Sequence, residues 1–442
     1  MTSRTAQGKA NRLKLNISEA LWPRTLRVVP TGTQTFSKAP FQHVNGVSPK
    51  YTVRGKGSRV WDADDNEYID YMLGLGPVIL GHADDEVNAA VAEAMGNGIS
   101  MSLPHPMETE LAELLVEIIP CAEMVRFGKN GSDVTAGAVR AARAFTGRDK
   151  IACCGYHGWQ DWYIGSTSRN LGVPLAVRGL TLKFEYNDID SLKALFDQNK
   201  DEIAAVIMEP ANFYEPRDNF LEKVKELARQ NNALLVFDEI ITGFRMAMGG
   251  AQEYFGVVPD MACFGKAMGN GFPISAVVGR AEVMALFNEI FFSFTFGGEL
   301  ASMAAALATL SALQKRRGIE HIHAIGRRLM YGFDALIQKL EVRDTVRMIG
   351  FPFWPEYVFT GGDGKPSREL QSLFQQEIVR RGILTRAGMF ISASHCDEDV
   401  DRTLAVFEEA LAVVREARKA GAVMDWLDGD VIQPVIRPPK AE

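Results

Sequence analysis

Mostly apolar runs of four to six residues recur between about residues 120 and 310, and segments with apolar positions at helical spacing separate many of them. Such runs are typical of strands that are covered on both faces in a parallel sheet. The strands predicted in this way are Met124–Phe127, Lys150–Cys153, Ala204–Met208, Ala233–Phe237 and Met261–Phe264, and the helices are Ser132–Phe145, capped by its own first serine, and Phe220–Gln230. The repeated order of strand and helix predicts an α/β fold with a doubly wound, mainly parallel sheet.

The segments on either side of this region have a different pattern. Polar and apolar positions alternate in Tyr51–Arg54, Arg59–Asp62 and Glu67–Tyr71, which predicts a β-meander. Beyond residue 320 the pattern favours long helices, including one whose apolar positions recur from Val400 to Val414. We therefore predict an N-terminal arm and meander over residues 1–85 that is part of a small lobe, a large domain over residues 86–320, and a small C-terminal α/β domain over residues 321–442.

Composition narrows the class of protein. The chain has 442 residues and a net charge of −7, so it offers no cationic surface for nucleic acid or anionic lipid. Its five cysteines form no CxxC pair or Cys/His cluster, and no metal site is predicted. The polar N-terminus does not resemble a signal peptide, and no apolar run approaches the length of about 18 residues that a membrane span needs. These features predict a cytoplasmic protein with reduced thiols.

Two charged residues stand at the ends of predicted central strands. Asp238 ends the run that begins at Ala233, and Lys266 follows the run that begins at Met261. The carboxyl edge of such a sheet is where open α/β folds bind ligands. Pyridoxal 5'-phosphate (PLP) forms a Schiff base with a lysine and places its ring nitrogen against an acid. The pair therefore predicts a PLP site in which Asp238 and Lys266 are catalytic.

A second lysine has the same local sequence. Phe127-Gly128-Lys129 repeats the tripeptide that ends at Lys266, so spacing alone does not choose between the two lysines. Lys129 directly precedes a candidate phosphate site, whereas Lys266 leads into the loop Gly269-Asn270-Gly271, whose flexibility suits a covalent anchor.

Other segments could complete the site, and each has a structural alternative. Asn130-Gly131-Ser132 between a strand and a helix suits a phosphate, or is an ordinary capped turn. Tyr156-His157-Gly158 could stack on a planar ring, with Trp159 in the same aromatic loop, or is a loop with a buried tyrosine. Ile240 would face the same way as Asp238 if the chain stays extended. Ser293–Gly298 reads as a tight loop before a core helix.

In this order, the segments resemble class III (fold-type I) PLP-dependent aminotransferases, most closely the glutamate-1-semialdehyde 2,1-aminomutase group. The resemblance runs from about Arg59 through residue 415, and its most specific parts are Leu235–Arg245 and Phe264–Lys266. It implies that Lys266 carries the internal aldimine, that Asp238 pairs with the ring nitrogen, and that Tyr156 and Ile240 lie on opposite faces of the ring. The resemblance also assigns the cofactor contacts Asn130, Gly131, Ser132, His157 and Glu209. Thr295 matches a threonine that reaches the phosphate of the neighbouring subunit, which implies a homodimer with shared active sites.

The departures from the family pattern fall on the substrate side. Lys38 stands where the aminomutase has an arginine for the substrate carboxylate, and an ammonium is a poorer bidentate clamp than a guanidinium. Glu299 replaces the asparagine of the Thr295 loop, and the aminomutase's glutamate-bearing segment is missing near Arg386–Phe390. Lys38, Trp159 and Glu299 are the candidate substrate residues.

Three hypotheses follow. The leading one is transfer of an amino group from an amino donor to a separate small carbonyl acceptor. The alternative is intramolecular amino exchange, as in the aminomutase. A third is a binding or regulatory module that keeps the fold, against which the intact Lys266, Asp238 and Tyr156 argue.

Overall fold

The computed structural model describes residues 13–435. The strands, in chain order, are β1 (Thr52–Lys56), β2 (Arg59–Asp62), β3 (Glu67–Asp70), β4 (Met124–Gly128), β5 (Lys150–Cys154), β6 (Thr181–Lys183), β7 (Ile203–Met208), β8 (Leu234–Asp238), β9 (Met261–Phe264), β10 (Ser275–Gly279), β11 (Val346–Phe351), β12 (Trp354–Phe359) and β13 (Ile383–Leu384). The α-helices are α1 (Asn16–Val28), α2 (Asp85–Gly96), α3 (Pro106–Ile118), α4 (Gly131–Thr146), α5 (Asp161–Ile164), α6 (Leu175–Arg178), α7 (Ile189–Gln198), α8 (Phe220–Gln230), α9 (Ala251–Phe255), α10 (Ala281–Met284), α11 (Leu300–Lys315), α12 (Gly318–Lys339), α13 (Arg368–Val379) and α14 (Asp397–Lys419).

These elements form two compact units. Within the described range, unit 1 comprises residues 13–75, 80–84 and 320–435, and unit 2 comprises residues 76–79 and 85–319. The domain limits predicted from the sequence near residues 85 and 320 stay predictions.

Unit 2 contains a seven-stranded sheet in the order β4-β10-β9-β8-β7-β5-β6. Neighbours pair in parallel except β10, which is antiparallel to both β4 and β9. Every residue of β7 and β8 is buried, as expected for central strands with both faces covered. Helix α4 packs Val134, Ala138 and Ala142 into the hydrophobic core of this sheet. The predicted doubly wound, mainly parallel α/β sheet is confirmed.

Unit 1 contains two smaller sheets. In the first, β1, β2 and β3 form the predicted antiparallel meander, and β13 adds to β3 in parallel. The second is the hairpin of β11 and β12. Helix α14 has Asp397, Glu398 and Asp399 in its first turn and Arg418 and Lys419 in its last, which suits the helix dipole at both ends.

The structure contradicts one detail expected from the sequence, the cap of α4, and adds two others. Helix α1 occupies part of the N-terminal segment for which only an arm was predicted. Ser132 does not cap α4, because the helix begins at Gly131 and Asn130 is its N-cap residue. The chain does not stay extended after Asp238, since the residues from Ile240 onward form turns.

The structure also bears on redox state and membranes. All five cysteines are free thiols, four of them buried and Cys396 exposed. None of the helices within residues 13–435 combines the length and apolar character that a membrane crossing requires.

Candidate active site

Two adjacent parallel strands of unit 2 bring Asp238 and Lys266 to the same edge of the sheet. Asp238 is the last residue of β8 and pairs in register with Cys263 of β9. Lys266 comes two residues after β9 ends, at the start of a short 3-10 helix, Lys266–Gly269. Its φ of 40° lies in the left-handed region, which is strained for a residue with a side chain. Strained backbone of this kind is concentrated at functional sites.

Asp238 is held by a buried histidine. His157 Nδ1 lies 2.8 Å from Asp238 Oδ2, and His157 Nε2 lies 3.1 Å from the carbonyl oxygen of Cys154. A carbonyl oxygen only accepts, so Nε2 is placed to donate to it, and Nδ1 is left facing the carboxyl group of Asp238. The backbone N–H of Ile240 donates to the other oxygen of Asp238 at 3.1 Å, so the carboxylate is fixed at both oxygens.

The pKa of Lys266 lies close to neutral pH. Burial lowers the pKa of its ammonium to about 8, although the charges of Asp238 and Glu209 act in the opposite direction. Arg245 adds repulsion and contributes to the lowering. Within residues 13–435, Lys266 Nζ has no hydrogen-bond or ion-pair partner. An uncommitted amine with a pKa near 8 can act as a nucleophile and as a proton carrier near neutral pH.

Glu209 is a second acid in the same site. Burial, together with the charge of Asp238, raises the pKa of Glu209 to about 7. Its Oε2 accepts a hydrogen bond of 3.1 Å from the backbone N–H of Tyr156. A Cβ on Gly155, whose φ is +104°, would overlap this carboxylate, so the glycine permits the contact. Glu209 is thereby placed beside the loop that carries Tyr156.

The N-terminus of α4 forms a candidate phosphate cradle. Asp133 Oδ2 accepts from the backbone N–H groups of Lys129 (3.2 Å) and Asn130 (2.7 Å), which fixes the turn before the helix. The N–H groups of Gly131 and Ser132 lie in the first turn, where a helix has no internal acceptors, and the helix dipole there favours an anion.

Close packing joins the cradle to the lysine segment and the aromatic loop. A Cβ built on Gly131 or on Gly265 would lie 3.1 Å from Ile240 Cδ1, so the isoleucine side chain packs against both segments. A Cβ on Gly158, whose φ is +104°, would lie 2.7 Å from Ser132 Cβ. Tyr156 is 54% exposed, so its ring is available to stack on a ligand.

The donor set of unit 2 fits PLP. It combines an uncommitted lysine amine, a fixed acid, an exposed aromatic ring and a helix N-terminus, which are the groups that a phosphorylated aldehyde with a basic ring nitrogen requires. The assignments of individual cofactor contacts, including His157, Glu209 and Ile240, stay predictions.

The second Phe-Gly-Lys lysine has a different environment. Lys129 Nζ forms an ion pair of 2.8 Å with Glu299 Oε1. Glu299 is the N-cap residue of α11 and accepts from the backbone N–H groups of Ala301 and Ser302. Although burial acts in the opposite direction, the Lys129 and Ser302 hydrogen bonds lower the pKa of Glu299. Its role as a substrate contact stays a prediction. Its carboxylate already accepts the hydrogen bonds of the helix cap and forms the ion pair with Lys129.

The other candidates lie at the surface of the single chain. Thr295 is exposed, and so are Trp159 in unit 2 and Lys38 in unit 1. Their predicted roles in cofactor or substrate binding stay predictions.

Sequence reasoning missed several shielded ionisable groups, among them one fully buried arginine and two partly buried groups. In unit 2, Arg245 is fully buried and donates to the carbonyl of Gly76. Burial lowers the pKa of this guanidinium to about 9. In unit 1, burial lowers the pKa of Arg386 and raises that of Glu356 to about 7. An arginine or a glutamate in an irregular or exposed-looking stretch carries no sequence signal of burial, so only the fold reveals these groups.

Comparisons with known proteins agree with this chemistry. The family model described as Aminotransferase class-III matches residues 42–386. The 3-aminobutyryl-CoA aminotransferase of Cloacimonas acidaminovorans (strain Evry) is 37% identical over 92% of this chain and 99% of its own length. The glutamate-1-semialdehyde 2,1-aminomutase of Acetivibrio thermocellus is 38% identical over 89% of this chain and 97% of its own.

Solved structures add the fold. The FumI protein of Sphingopyxis sp. MTA144, solved in its PLP internal aldimine form, has a TM-score of 0.86 and 29% identity over 94% of this chain and 98% of its own. An omega-transaminase from Sphaerobacter thermophilus has a TM-score of 0.82 and 28% identity over 90% and 98% of the two chains. The likeness to these structures identifies the fold as that of fold-type I PLP transaminases.

Proposed function

The chain belongs to the class III aminotransferases, which are PLP-dependent enzymes, and we propose that it moves an amino group between two separate molecules, an amino donor and a small carbonyl acceptor. The observation that carries the catalytic assignment is that two groups stand at one edge of the sheet. One is the Lys266 amine, which has no partner within residues 13–435 and a pKa of about 8, and the other is the Asp238 carboxyl group, which His157 holds in place.

Each group of the site has a distinct task in this proposal. When bound, PLP supplies an electron sink for the negative charge that develops at the carbon bearing the amino group. Lys266 anchors the cofactor and then takes up and returns a proton at Nζ. Asp238 holds a positive charge at the ring nitrogen, which requires that the acid remain ionised. The ring of His157 holds the acid in position through a contact of 2.8 Å.

The choice against intramolecular exchange is supported by the substrate side of the chain. Lys38 stands where the aminomutase pattern has an arginine, and the segment near Arg386–Phe390 lacks the glutamate of that pattern. Glu299, which replaces an asparagine, forms a helix cap and an ion pair with Lys129. One relative with near-complete coverage also bears the name of an aminotransferase.

A half-reaction screen tests the proposal. The PLP-loaded protein is mixed with single amino donors and no acceptor, and conversion to pyridoxamine phosphate is followed by absorbance. We expect at least one donor to convert the cofactor and a carbonyl compound to restore it. Turnover of a substrate without any external donor would instead identify an aminomutase.

We further propose that the enzyme is a homodimer in which Thr295 of one chain serves the phosphate site of the other. Large apolar side chains are exposed around Thr295, among them Phe291 (81%) and Phe296 (59%). Leu103 is 79% exposed, and its neighbour Ile99 is hydrogen-bonded to the start of α11 through Leu300. Exposed apolar surface of this kind is typical of a subunit interface. The free thiols suit the cytoplasm as the proposed location.

Subunit mixing tests the shared site. Lys266→Ala and Thr295→Ala homodimers should each be well below wild type, whereas their heterodimer would have one site with both groups intact. Partial recovery of activity after verified subunit exchange is expected. No recovery would contradict the shared arrangement.

A further inference from the structure

The loop that carries Thr295 is anchored firmly at its N-terminal end. Arg126 Nη2 donates to the carbonyl of Phe292 at 2.7 Å, and Arg140 Nη1 donates to that of Phe291 at 2.6 Å. The Phe292 ring is buried in the core of unit 2, where a Cβ on Gly137 would overlap it. The exposed residues Ser293–Phe296 therefore extend from a fixed base.

The C-terminal end of the loop is held by an ion pair. Glu299 ends the loop, and Lys129 Nζ contacts its Oε1 at 2.8 Å across 170 positions of sequence. Both side chains are largely shielded, with 15% and 12% exposure. Charge-assisted hydrogen bonds in shielded surroundings are stronger than exposed ion pairs.

Lys129 is adjacent to its own phosphate cradle, yet its ammonium is directed elsewhere. The cradle turn is fixed by backbone N–H groups that donate to Asp133, and this fixation does not use Lys129 Nζ. Replacing the ammonium therefore leaves the adjacent cradle intact. The same change leaves the Glu299 carboxylate with the backbone N–H groups of Ala301 and Ser302 but without its cation, which weakens the hold on the loop end.

We propose that the Lys129–Glu299 ion pair is a clamp that positions the Thr295 loop, so that Lys129 governs cofactor retention in the partner's active site and not in its own. This inference rests on the shared-site dimer proposed above. Lys129 is a positioning residue under this proposal, since it acts through Glu299 and the loop.

Two heterodimers with a single competent Lys266 separate the two sites. In the first, a Lys129→Gln chain is paired with a Lys266→Ala chain, so the competent site receives its loop from a chain with an intact clamp. In the second, wild type is paired with a Lys129→Gln/Lys266→Ala chain, so the competent site receives a loosened loop. Retention is measured as the loss of lysine-bound PLP absorbance after dilution into cofactor-free buffer, which requires no turnover.

We expect the first heterodimer to retain PLP as wild type does, and the second to lose PLP about tenfold faster. A tenfold change is what the loss of one charge-assisted hydrogen bond is expected to cause. Lys129→Arg, which keeps the cation beside the Glu299 cap, should restore retention. Lys150→Gln, which removes another Lys–Glu pair of unit 2, is the matched control and should have no effect. Thermal unfolding of each variant monitors folding.

The reverse pattern, loss in the first heterodimer only, would show that Lys129 serves its own site and would overturn the clamp. Equal loss in both, or loss in neither, would overturn it as well. Retention is measured without substrates, so this outcome is independent of the half-reaction screen. If the clamp experiment fails and the Thr295 mixing experiment succeeds, the clamp is rejected and the shared site is retained.

Discussion

The lowered pKa of Lys266 predicts a specific pH dependence of its reactivity in the apo-protein. Burial lowers this pKa from 10.5 to about 8. At pH 8 about half of the Lys266 side chains would be neutral, against about 0.3% for a lysine with the ordinary value. The neutral amine is the nucleophile, so its reactivity should rise as pH increases through about 8 and then level off. Near pH 8 the neutral fraction exceeds that of an ordinary lysine by about 150-fold.

The assay is competitive labelling of the apo-protein with acetic anhydride across pH 6 to 11, with Lys266 modification quantified by peptide mass spectrometry. Nα-acetyl-lysine amide in the same mixture provides the reference curve. The charge of Asp238 raises the pKa of Lys266, so Asp238→Asn should shift the midpoint to lower pH. A midpoint of Lys266 labelling near pH 10.5 would refute the proposed lowering of its pKa. An upward shift of that midpoint in Asp238→Asn would refute the attraction between Asp238 and Lys266.

The remaining predictions concern variants of the cofactor site. Lys266→Ala should abolish the absorbance of lysine-bound PLP, whereas Lys129→Ala should keep it when PLP is in excess; the reverse result would exchange the two lysines. Asp238→Asn should retain PLP but lose most turnover, because a neutral amide cannot hold the positive charge at the ring nitrogen. Each loss of about 1.4 kcal/mol in transition-state stabilisation lowers the rate about tenfold. A near-normal kcat in this variant would contradict the role of Asp238. Gly158→Ala should cost about 1–3 kcal/mol by thermal unfolding and weaken PLP retention, because its φ is +104° and the added Cβ meets the cradle helix. Gly147→Ala, at a φ of +67° with open space around it, should lose stability alone.

The central sheet could be predicted because burial on both faces leaves a direct trace in the sequence. Strands β7 and β8 are buried at every position, and their sequences are apolar except for Asp238 at the end of β8. The meander could also be predicted, because its polar and apolar positions alternate. Helix α1 was not predicted, since Pro23 and polar residues interrupt its apolar spacing, and among its residues only Ser18 is buried.

The candidate site was partly readable for the same reason. Asp238 and Lys266 follow predicted strands, and the edge of a parallel sheet collects such residues whatever their separation in sequence. The ion pair between Lys129 and Glu299 has no such signal, because the two residues belong to loops 170 positions apart. The path of the chain at Ile240 was also hidden, since a turn after a strand depends on contacts such as the one from its N–H to Asp238.

Environment, rather than residue type, distinguishes the two acids near Lys266. Asp238 is contacted by His157 Nδ1 at 2.8 Å and by the backbone N–H of Ile240 at 3.1 Å, one at each carboxyl oxygen. Within residues 13–435, Glu209 has no ion pair, and burial with the charge of Asp238 raises its pKa to about 7. A glutamate that keeps its proton near neutral pH can donate a hydrogen bond, whereas an ionised carboxylate only accepts. The two acids therefore differ in environment: Asp238 is contacted at both oxygens, and Glu209, with its raised pKa, can hold or release a proton near neutral pH.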